Sequence, residues 1–281
     1  MAFAFEGHFL LLQLHNICLP CGSVAPFRKE QAVQQLKTLK HVHAHDDDES
    51  VQKLLIAWIK AVERYTKAFK DNPWWYNERA SLSVLAGAAW TLKDWFALEE
   101  FSTIKRMRTL KPGVDEGHLR NGRCDLFIRN PEESIAIEAK QAVQRIGVRA
   151  DGETYMNKAL KAAWDDTGDL GHWEANRRFA VTFVVPTIPL SEVRIGAGKR
   201  VQICPDKVKA SLNRWLTDEP YFPGWSLKPT QFAYIFPKLG SPDYVDGHRY
   251  FPGIVVIFDE RLRANQIRRP AEASDVTVAL A

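Results

Sequence analysis

The sequence predicts an α/β protein. Apolar residues recur at helical spacing in the first third of the chain, whereas short apolar runs of strand length follow from residue 96 onward. The chain has 281 residues, of which 46% are hydrophobic and 26% charged, which is typical of a globular protein with a buried core. No apolar run reaches the roughly 18 residues of a membrane span. Membrane-spanning, collagen-like, coiled-coil and disordered classes are therefore excluded.

The helices of the first third are predicted from their apolar faces and start signals. Residues 28–40 carry apolar side chains on one face and predict a helix. A second helix is predicted over 51–69, with Ser50 or an aspartate before it as the cap. Asn72-Pro73 is typical of a helix start, so a third helix is expected over 73–92.

The later elements alternate between strands and helices. Strands are predicted over 96–106, 124–129, 134–140, 179–185, 232–236 and 254–258. Helices are predicted over 155–163 and 205–217. From residue 73 the order is therefore helix, three strands, helix, strand, with additions at both ends.

Three charged residues interrupt the apolar strands and need an explanation. Asp125, Glu138 and Lys140 stand where a buried charge would be costly without a partner. Side chains alternate along a strand, so Glu138 and Lys140 share one face. A turn at Asn130-Pro131 would pair the two strands and bring Asp125 to the same place. Two carboxylates beside an ammonium group predict an oxygen-rich site for Mg²⁺ or Mn²⁺.

A further carboxylate is predicted to join this site from the preceding helix. Glu78 lies in line with the apolar stripe of Leu82, Leu85 and Ala89. A carboxylate within an apolar stripe is expected to face the core rather than solvent. Glu78 would then share the same ion.

These residues carry a resemblance to a known superfamily. Residues 122–125 (Gly-Arg-Cys-Asp) and 138–140 (Glu-Ala-Lys), with Glu78 on the preceding helix, resemble the PD-(D/E)xK nuclease superfamily and its restriction-endonuclease-like core. The resemblance covers residues 73–185, and Cys124 replaces the proline of the motif. It implies a core of helix, three strands, helix and strand, with a mixed central sheet flanked by helices. It implies a metal-dependent nuclease acting on nucleic acid, with DNA favoured over RNA, in a bacterial restriction or antiviral role.

The resemblance also implies a role for each residue. Asp125, Glu138 and the Ala139 carbonyl would hold Mg²⁺ or Mn²⁺, and Glu78 would complete the shell or hold a second ion. Lys140 would orient or deprotonate the attacking water. Because carboxylates surround it, Lys140 is expected to stay protonated, which favours the orienting role unless the bound ion changes this balance.

Nucleic-acid contacts are expected just beyond the Glu-x-Lys strand. Gln141, Arg145 and Arg149 follow it closely and are predicted to contact phosphate groups. Most of the other basic residues, a group that includes Lys105, are expected on the solvated surface. The net charge of +4 permits a polyanionic partner. A homodimer would suit an enzyme that cuts two strands.

The chain is expected to comprise a mainly helical N-terminal extension over 1–72, a nuclease-like domain over 73–260 and a C-terminal tail over 261–281. No Lys or Arg precedes the apolar run at residues 9–12, so a secretory signal is not expected. A cytoplasmic protein is predicted.

Three alternatives remain open at this point. Glu138 and Lys140 can form a charged pair on an exposed edge strand, which protects against aggregation. The fold can serve a catalytically silent protein that binds nucleic acid or scaffolds a complex. Cys18 and Cys21 have the spacing of zinc ligands and would then form a small interaction module.

Overall fold

The computed structural model describes residues 37–69, 71–106, 119–150, 152–171, 173–196, 200–217, 222 and 224–263. Cys18, Cys21, residues 28–36 of the first predicted helix and residues 264–281 of the predicted tail lie outside this described part of the chain. The zinc alternative therefore stays a hypothesis of the sequence.

Within the described ranges, nine strands form a mixed sheet. They are β1 Leu39–His43, β2 Phe96–Arg106, β3 Leu119–Arg129, β4 Ser134–Arg145, β5 Arg177–Pro189, β6 Gln231–Phe236, β7 Val245–Asp246, β8 Arg249–Tyr250 and β9 Ile254–Glu260. Seven follow the order β1-β6-β9-β5-β4-β3-β2, and the short β7–β8 pair joins through β8 to β5. The β4–β5 pair is parallel and the other neighbouring pairs are antiparallel.

Helices cover this sheet, which confirms the predicted α/β class. They are α1 Glu49–Ala68, α2 Glu78–Trp90, α3 Thr154–Asp169, α4 Leu190–Val193 and α5 Pro205–Leu216, with 3₁₀ turns at Pro73–Trp75 and Pro242–Tyr244. α2 packs on α1 and on β2, β3 and β4, while α3 packs on β4 and β5. α3 also connects the parallel β4 and β5, since parallel neighbours require a crossover. None of the described helices is long and apolar enough to cross a membrane.

The third predicted helix begins later than expected. Pro73–Trp75 forms a 3₁₀ turn, and α2 begins at Glu78. The cap is Asn77, whose side-chain oxygen accepts the N–H of Ala80 at 3.0 Å, whereas the side chain of Asn72 makes no capping bond. Because Asn77 is extended, with φ of −162°, it separates the 3₁₀ turn from the helix. Glu78 therefore stands in the first turn of α2.

The prediction of a helix through residue 40 is wrong for its described end. Residues 39–43 form β1, which pairs antiparallel with β6 from Leu39–Phe236 to His43–Phe232. The exposed edge of β6 offers backbone partners that a helix at this position would leave unpaired. α1 then begins with Asp48 as its cap, as predicted, because the Asp48 carboxylate accepts the N–H of Val51 at 3.3 Å.

The central strand β4 shows the alternation that the sequence predicts. Ile135, Ile137 and Ala139 lie in the main hydrophobic core. Ala136 instead belongs to a smaller cluster with Cys124. Both faces of β4 are therefore covered, and the residues directly after Ile137 lie in a buried part of the sheet.

Candidate active site

The candidate site forms where β3 and β4 separate. Their antiparallel ladder extends from Arg129–Ser134 to Leu126–Ile137 and ends there. Beyond this point β3 continues to pair with β2, and β4 continues to pair with β5 as far as Arg145. The sheet therefore divides at Asp125 and Glu138, and the N–H groups of β4 that would face β3 need other partners.

Along β4, carboxylate oxygens accept the N–H groups that β3 no longer binds. The N–H of Ala139 donates to Asp125 Oδ2 at 2.8 Å, and the N–H of Gln141 donates to Glu78 Oε2 at 3.2 Å. In a β-strand, alternate N–H groups point to the same side. β4 thus holds the two carboxylates next to each other on its free edge, beside Lys140. The structure therefore brings the predicted residues Glu78 and Asp125 to one place.

The neighbouring strand is also irregular at this point. Glu99 pairs with Leu126 and Phe101 with Cys124, so the register sets Glu100 opposite Asp125. Glu100 has φ of 53°, a left-handed conformation that is strained for a residue other than glycine. Asp125 consequently lies at a break in regular pairing on both sides of β3.

Glu138 is the most deeply buried of the predicted charged residues, with 2% of its surface exposed. Lys105 Nζ lies 2.7 Å from its Oε1, so the two side chains form an ion pair. Burial first, and then the charge of Asp125, raise the pKa of Glu138 to about 8, although Lys105 opposes the shift. The Glu138 carboxyl group therefore favours binding of a proton or another cation.

Lys105 reaches Glu138 by crossing β3 above Gly122. A Cβ at position 122 would lie 2.9 Å from Cγ and Cδ of Lys105, so only glycine leaves room for this path. The Lys105 side chain is 12% exposed. Lys105 is therefore not one of the basic residues on the solvated surface, because it enters the gap that opens between β3 and β4.

Lys140 is held by a residue of α3. Its Nζ lies 2.7 Å from Asp166 Oδ2 and donates to the Ala139 carbonyl at 3.0 Å. Burial favours the neutral amine, but Asp166, followed by the charges of Glu78 and Asp125, outweighs burial and raises the pKa of Lys140. Lys140 therefore remains an ammonium group, which suits orientation of a water or phosphate rather than proton abstraction.

The pKa of Glu78 is also raised by its surroundings. Burial is the largest influence on its pKa, and the charge of Asp125 adds to it. Lys140 and the bond from the Gln141 N–H act in the opposite direction without cancelling the rise. The candidate site thus contains more negative charge than its two lysines neutralise.

Lys105 and Asp166 are the site residues that the sequence analysis missed. Asp166 lies three residues after Ala163 and extends the buried stripe that includes Met156 and Ala159. The rule that predicted an inward-facing Glu78 would therefore have found Asp166 as well. Lys105 carries no comparable signal, since it comes from a strand whose contact with Glu138 depends on the separation of β3 from β4.

The three predicted nucleic-acid contacts have different surroundings. The side-chain oxygen of Gln141 accepts from Ser81 Oγ at 2.7 Å, and its Nε2 donates to the Trp74 carbonyl at 3.5 Å. Gln141 therefore ties β4 to α2 and its preceding turn. Arg145 and Arg149 are exposed, and neither makes an ion pair with the rest of the described chain.

The donor atoms of the site fit a divalent cation by their chemistry. Carboxylates of Glu78, Asp125 and Glu138 and the Ala139 carbonyl supply hard oxygen ligands of the kind Mg²⁺ and Mn²⁺ prefer. In the side-chain positions observed over the described residues, no three His, Cys, Asp or Glu residues stand close enough together to chelate one ion.

Comparison with known proteins gives no relative for this fold or this group of residues. No protein-family model, no curated protein and no solved structure matches the chain.

Proposed function

We propose that this protein is a metal-dependent nuclease with a restriction-endonuclease-like core, hydrolysing phosphodiester bonds in nucleic acid, with DNA as the favoured substrate. The supporting observation is the convergence of Glu78 and Asp125 on neighbouring amides of β4, beside Glu138 and Lys140. The order α2-β2-β3-β4-α3-β5, with β4 and β5 parallel, also agrees with the PD-(D/E)xK superfamily that the motif resembles.

The chain's own residues supply the binding and orienting groups. Asp125, Glu138 and the Ala139 carbonyl would hold Mg²⁺ or Mn²⁺, and Glu78 would complete the shell. When bound, such a cation lowers the pKa of its water and neutralises charge on the scissile phosphate. Lys140, kept as an ammonium group, would orient the attacking water or a phosphate oxygen.

The electrostatics of the site support this proposal. The pKa values of Glu78 and Glu138 both lie above their usual range, first because of burial and then because of the neighbouring charge of Asp125. A divalent cation would reverse both effects by adding positive charge at that point. Strongly perturbed carboxyl groups gathered in an opening of a fold are typical of functional sites.

One observation favours a second candidate function, a catalytically silent protein that binds nucleic acid. Lys105 and Lys140 already form ion pairs with Glu138 and Asp166, both at 2.7 Å. A site whose lysines remain in place would need no metal and would perform no hydrolysis. Strongly salt-dependent binding without turnover would favour this alternative.

The two functions differ in metal-dependent cleavage. Plasmid, linear duplex, single-stranded DNA and RNA would be incubated with the protein in Mg²⁺, Mn²⁺ or EDTA. We expect cleavage with metal, and a loss of about 1,000-fold in Asp125→Asn and Lys140→Met, since each removes a charge that acts on the transition state.

Glu132→Gln provides the matched control, because Glu132 is exposed in the turn between β3 and β4. This variant should cleave as the wild type does. Calorimetric titration with Mn²⁺ gives an independent readout, in which Asp125→Asn should lose binding that Glu132→Gln retains. Metal-dependent cleavage that survives in both site variants would contradict the proposed site.

A further inference from the structure

A groove of about 530 Å³ opens directly beside the candidate site. The groove is lined by residues of β4, α3 and β8. They include Lys140, Val143, Arg145, Tyr155, Lys158 and Arg249. The volume falls within the usual range of ligand pockets. Lys140 belongs both to the groove and to the candidate site, so a ligand lying in the groove would reach the carboxylates.

The wall formed by α3 combines an aromatic ring with a cation. Tyr155 and Lys158 are three residues apart and project from one face of the helix, and Ala159 and Ala162 continue this face. The two alanines keep the groove wide because their side chains are small. Tyr155 remains 52% exposed, so its ring is available to a ligand.

The wall formed by β4 adds an apolar surface. Val143 is 49% exposed, near the end of β4, where this strand no longer pairs with β3. Together with Tyr155 it leaves apolar surface open to solvent within a groove. Such a surface suits a flat ring, because burying apolar area against a base or a similar group is favourable.

The charges in the groove are positive. Arg145 and Lys158 are exposed, and neither forms an ion pair with any other described residue. Arg249 donates to the Thr187 hydroxyl at 3.1 Å and keeps its charge. No carboxylate is among the described residues that line the groove. Cations without counter-charges at the entrance to a carboxylate site attract an anionic chain.

We propose that this groove binds an unpaired nucleic-acid strand and directs it to the candidate site, an inference that rests on the proposed nuclease function. Arg145, Lys158 and Arg249 contact its phosphates, and Tyr155 stacks on a base. Stacking on an aromatic side chain requires a base whose face is open, as in single strands. A duplex keeps its base faces covered by neighbouring pairs and would leave Tyr155 unused.

The test measures binding without cleavage. Asp125→Asn protein in EDTA is titrated into fluorescently labelled ten-residue oligothymidylate, and anisotropy reports the dissociation constant. The same strand annealed to its complement, oligouridylate and free thymidine monophosphate are the other three ligands. We expect the two single strands to bind about 10-fold more tightly than the duplex, and the monophosphate to bind far more weakly.

Substitutions assign this binding to the groove. Tyr155→Ala should weaken oligothymidylate binding by about 10-fold, and Tyr155→Phe should retain it, because stacking needs the ring and not the hydroxyl. Arg145→Ala should weaken binding and reduce the slope of log affinity against log salt by about 0.7. Lys209→Ala, an exposed cation on α5 outside the groove, is the matched control and should change neither the ring-dependent affinity nor its preference for single strands.

Two outcomes would overturn the inference. One is a duplex or a monophosphate that binds as tightly as the oligonucleotide; the other is unchanged affinity in a folded Tyr155→Ala variant. Since binding is measured in EDTA, these results are separate from those of the cleavage assay. Ring-dependent strand binding without any cleavage would refute the proposed enzyme and leave the groove as a strand-binding site.

Discussion

Two groups of carboxylates pack against the same sheet, but their surroundings shift the pKa values of buried carboxyl groups in opposite directions. In the first, which we name the Arg177 cluster, Arg177 binds Asp48 and Glu260 through its guanidinium at 2.6 to 2.9 Å, and Glu133 lies at 3.4 Å. In the second, the candidate site, each of two lysines pairs with one carboxylate, and Glu78 and Asp125 rely on backbone amides.

The pKa directions express this difference. Burial disfavours ionised Asp48 and Glu260, but hydrogen bonds from Arg177 outweigh burial and lower the pKa of both. Burial also disfavours ionised Glu78 and Glu138, and there the charge of Asp125 adds to burial and raises both pKa values. A planar guanidinium binds two carboxylates through paired hydrogen bonds, whereas an ammonium acts as a point charge.

Of the two groups of carboxylates, the Arg177 cluster has a structural role. The Arg177 cluster links the α1 cap to β5 and β9, and its charges satisfy one another. The candidate site retains repulsion that gives the folded chain no benefit. Repulsion of this kind is expected where a ligand with the missing positive charge binds.

The largest expected effect on stability comes from removing the compensating charge of the structural cluster. Arg177→Met removes the guanidinium that binds buried Asp48 and Glu260, and Glu260 then keeps Lys228 at 3.0 Å, so the free energy of unfolding should fall by about 3–5 kcal/mol. Urea unfolding at pH 7 measures the change. Arg129→Met is the control, since Arg129 is exposed at the end of β3, and should change stability by less than about 0.5 kcal/mol. Equal effects of the two variants would mean that the Arg177 cluster contributes no more than the surface.

The second expected effect is that the stability contributed by Glu138 and the stability contributed by the Arg177 cluster depend on pH in opposite directions. Because the pKa of folded Glu138 is raised to about 8, the stability associated with its protonated form is complete below the unfolded pKa and is lost as pH rises through about 8. The slope for this one group is at most about 1.4 kcal/mol per pH unit. Asp48 and Glu260 have lowered pKa values, so their contribution is present above the unfolded pKa and is lost as pH falls through the folded pKa.

Urea unfolding of Glu138→Gln between pH 5 and pH 9 isolates the first of these effects. The wild type should lose stability relative to Glu138→Gln as pH rises, whereas Glu132→Gln should follow the wild type. Mg²⁺ at pH 8 should restore part of the loss, because an ion that binds only the folded state stabilises it. Parallel pH profiles of stability for wild type and Glu138→Gln would show that the pKa of Glu138 is not raised in the folded protein.

The smallest expected effect concerns the path of Lys105. Gly122→Ala would place a Cβ 2.9 Å from the Lys105 side chain, so we expect a loss of about 1 kcal/mol from overpacking. In a Lys105→Ala background the same substitution should cost much less, since the obstructing chain is gone. A double-mutant cycle measured by urea unfolding reports this coupling. Additive effects would contradict the close approach of Lys105 to Gly122.

Local patterns in the sequence predict much of the fold. The second helix, β2 and α5 agree with their predicted ranges within two residues, because each has a clear apolar period and a recognisable start. The start of α2 is different, since Asn72 and Asn77 both precede plausible first turns. Only the packing of the Pro73–Trp75 turn, with Trp74 buried, distinguishes between them.

The α/β class and the chemical types of the charged residues were thus determined by the sequence itself, as charges within apolar strands mark Asp125, Glu138 and Lys140 without any knowledge of their neighbours. The tertiary structure alone decided that β3 leaves β4 after Leu126, that Lys105 crosses Gly122 to reach Glu138, and that β1 rather than a helix covers β6. Periodicity encodes which face of an element is buried. Contacts between distant segments depend on how whole strands diverge and pair, and no local pattern of residues contains that information.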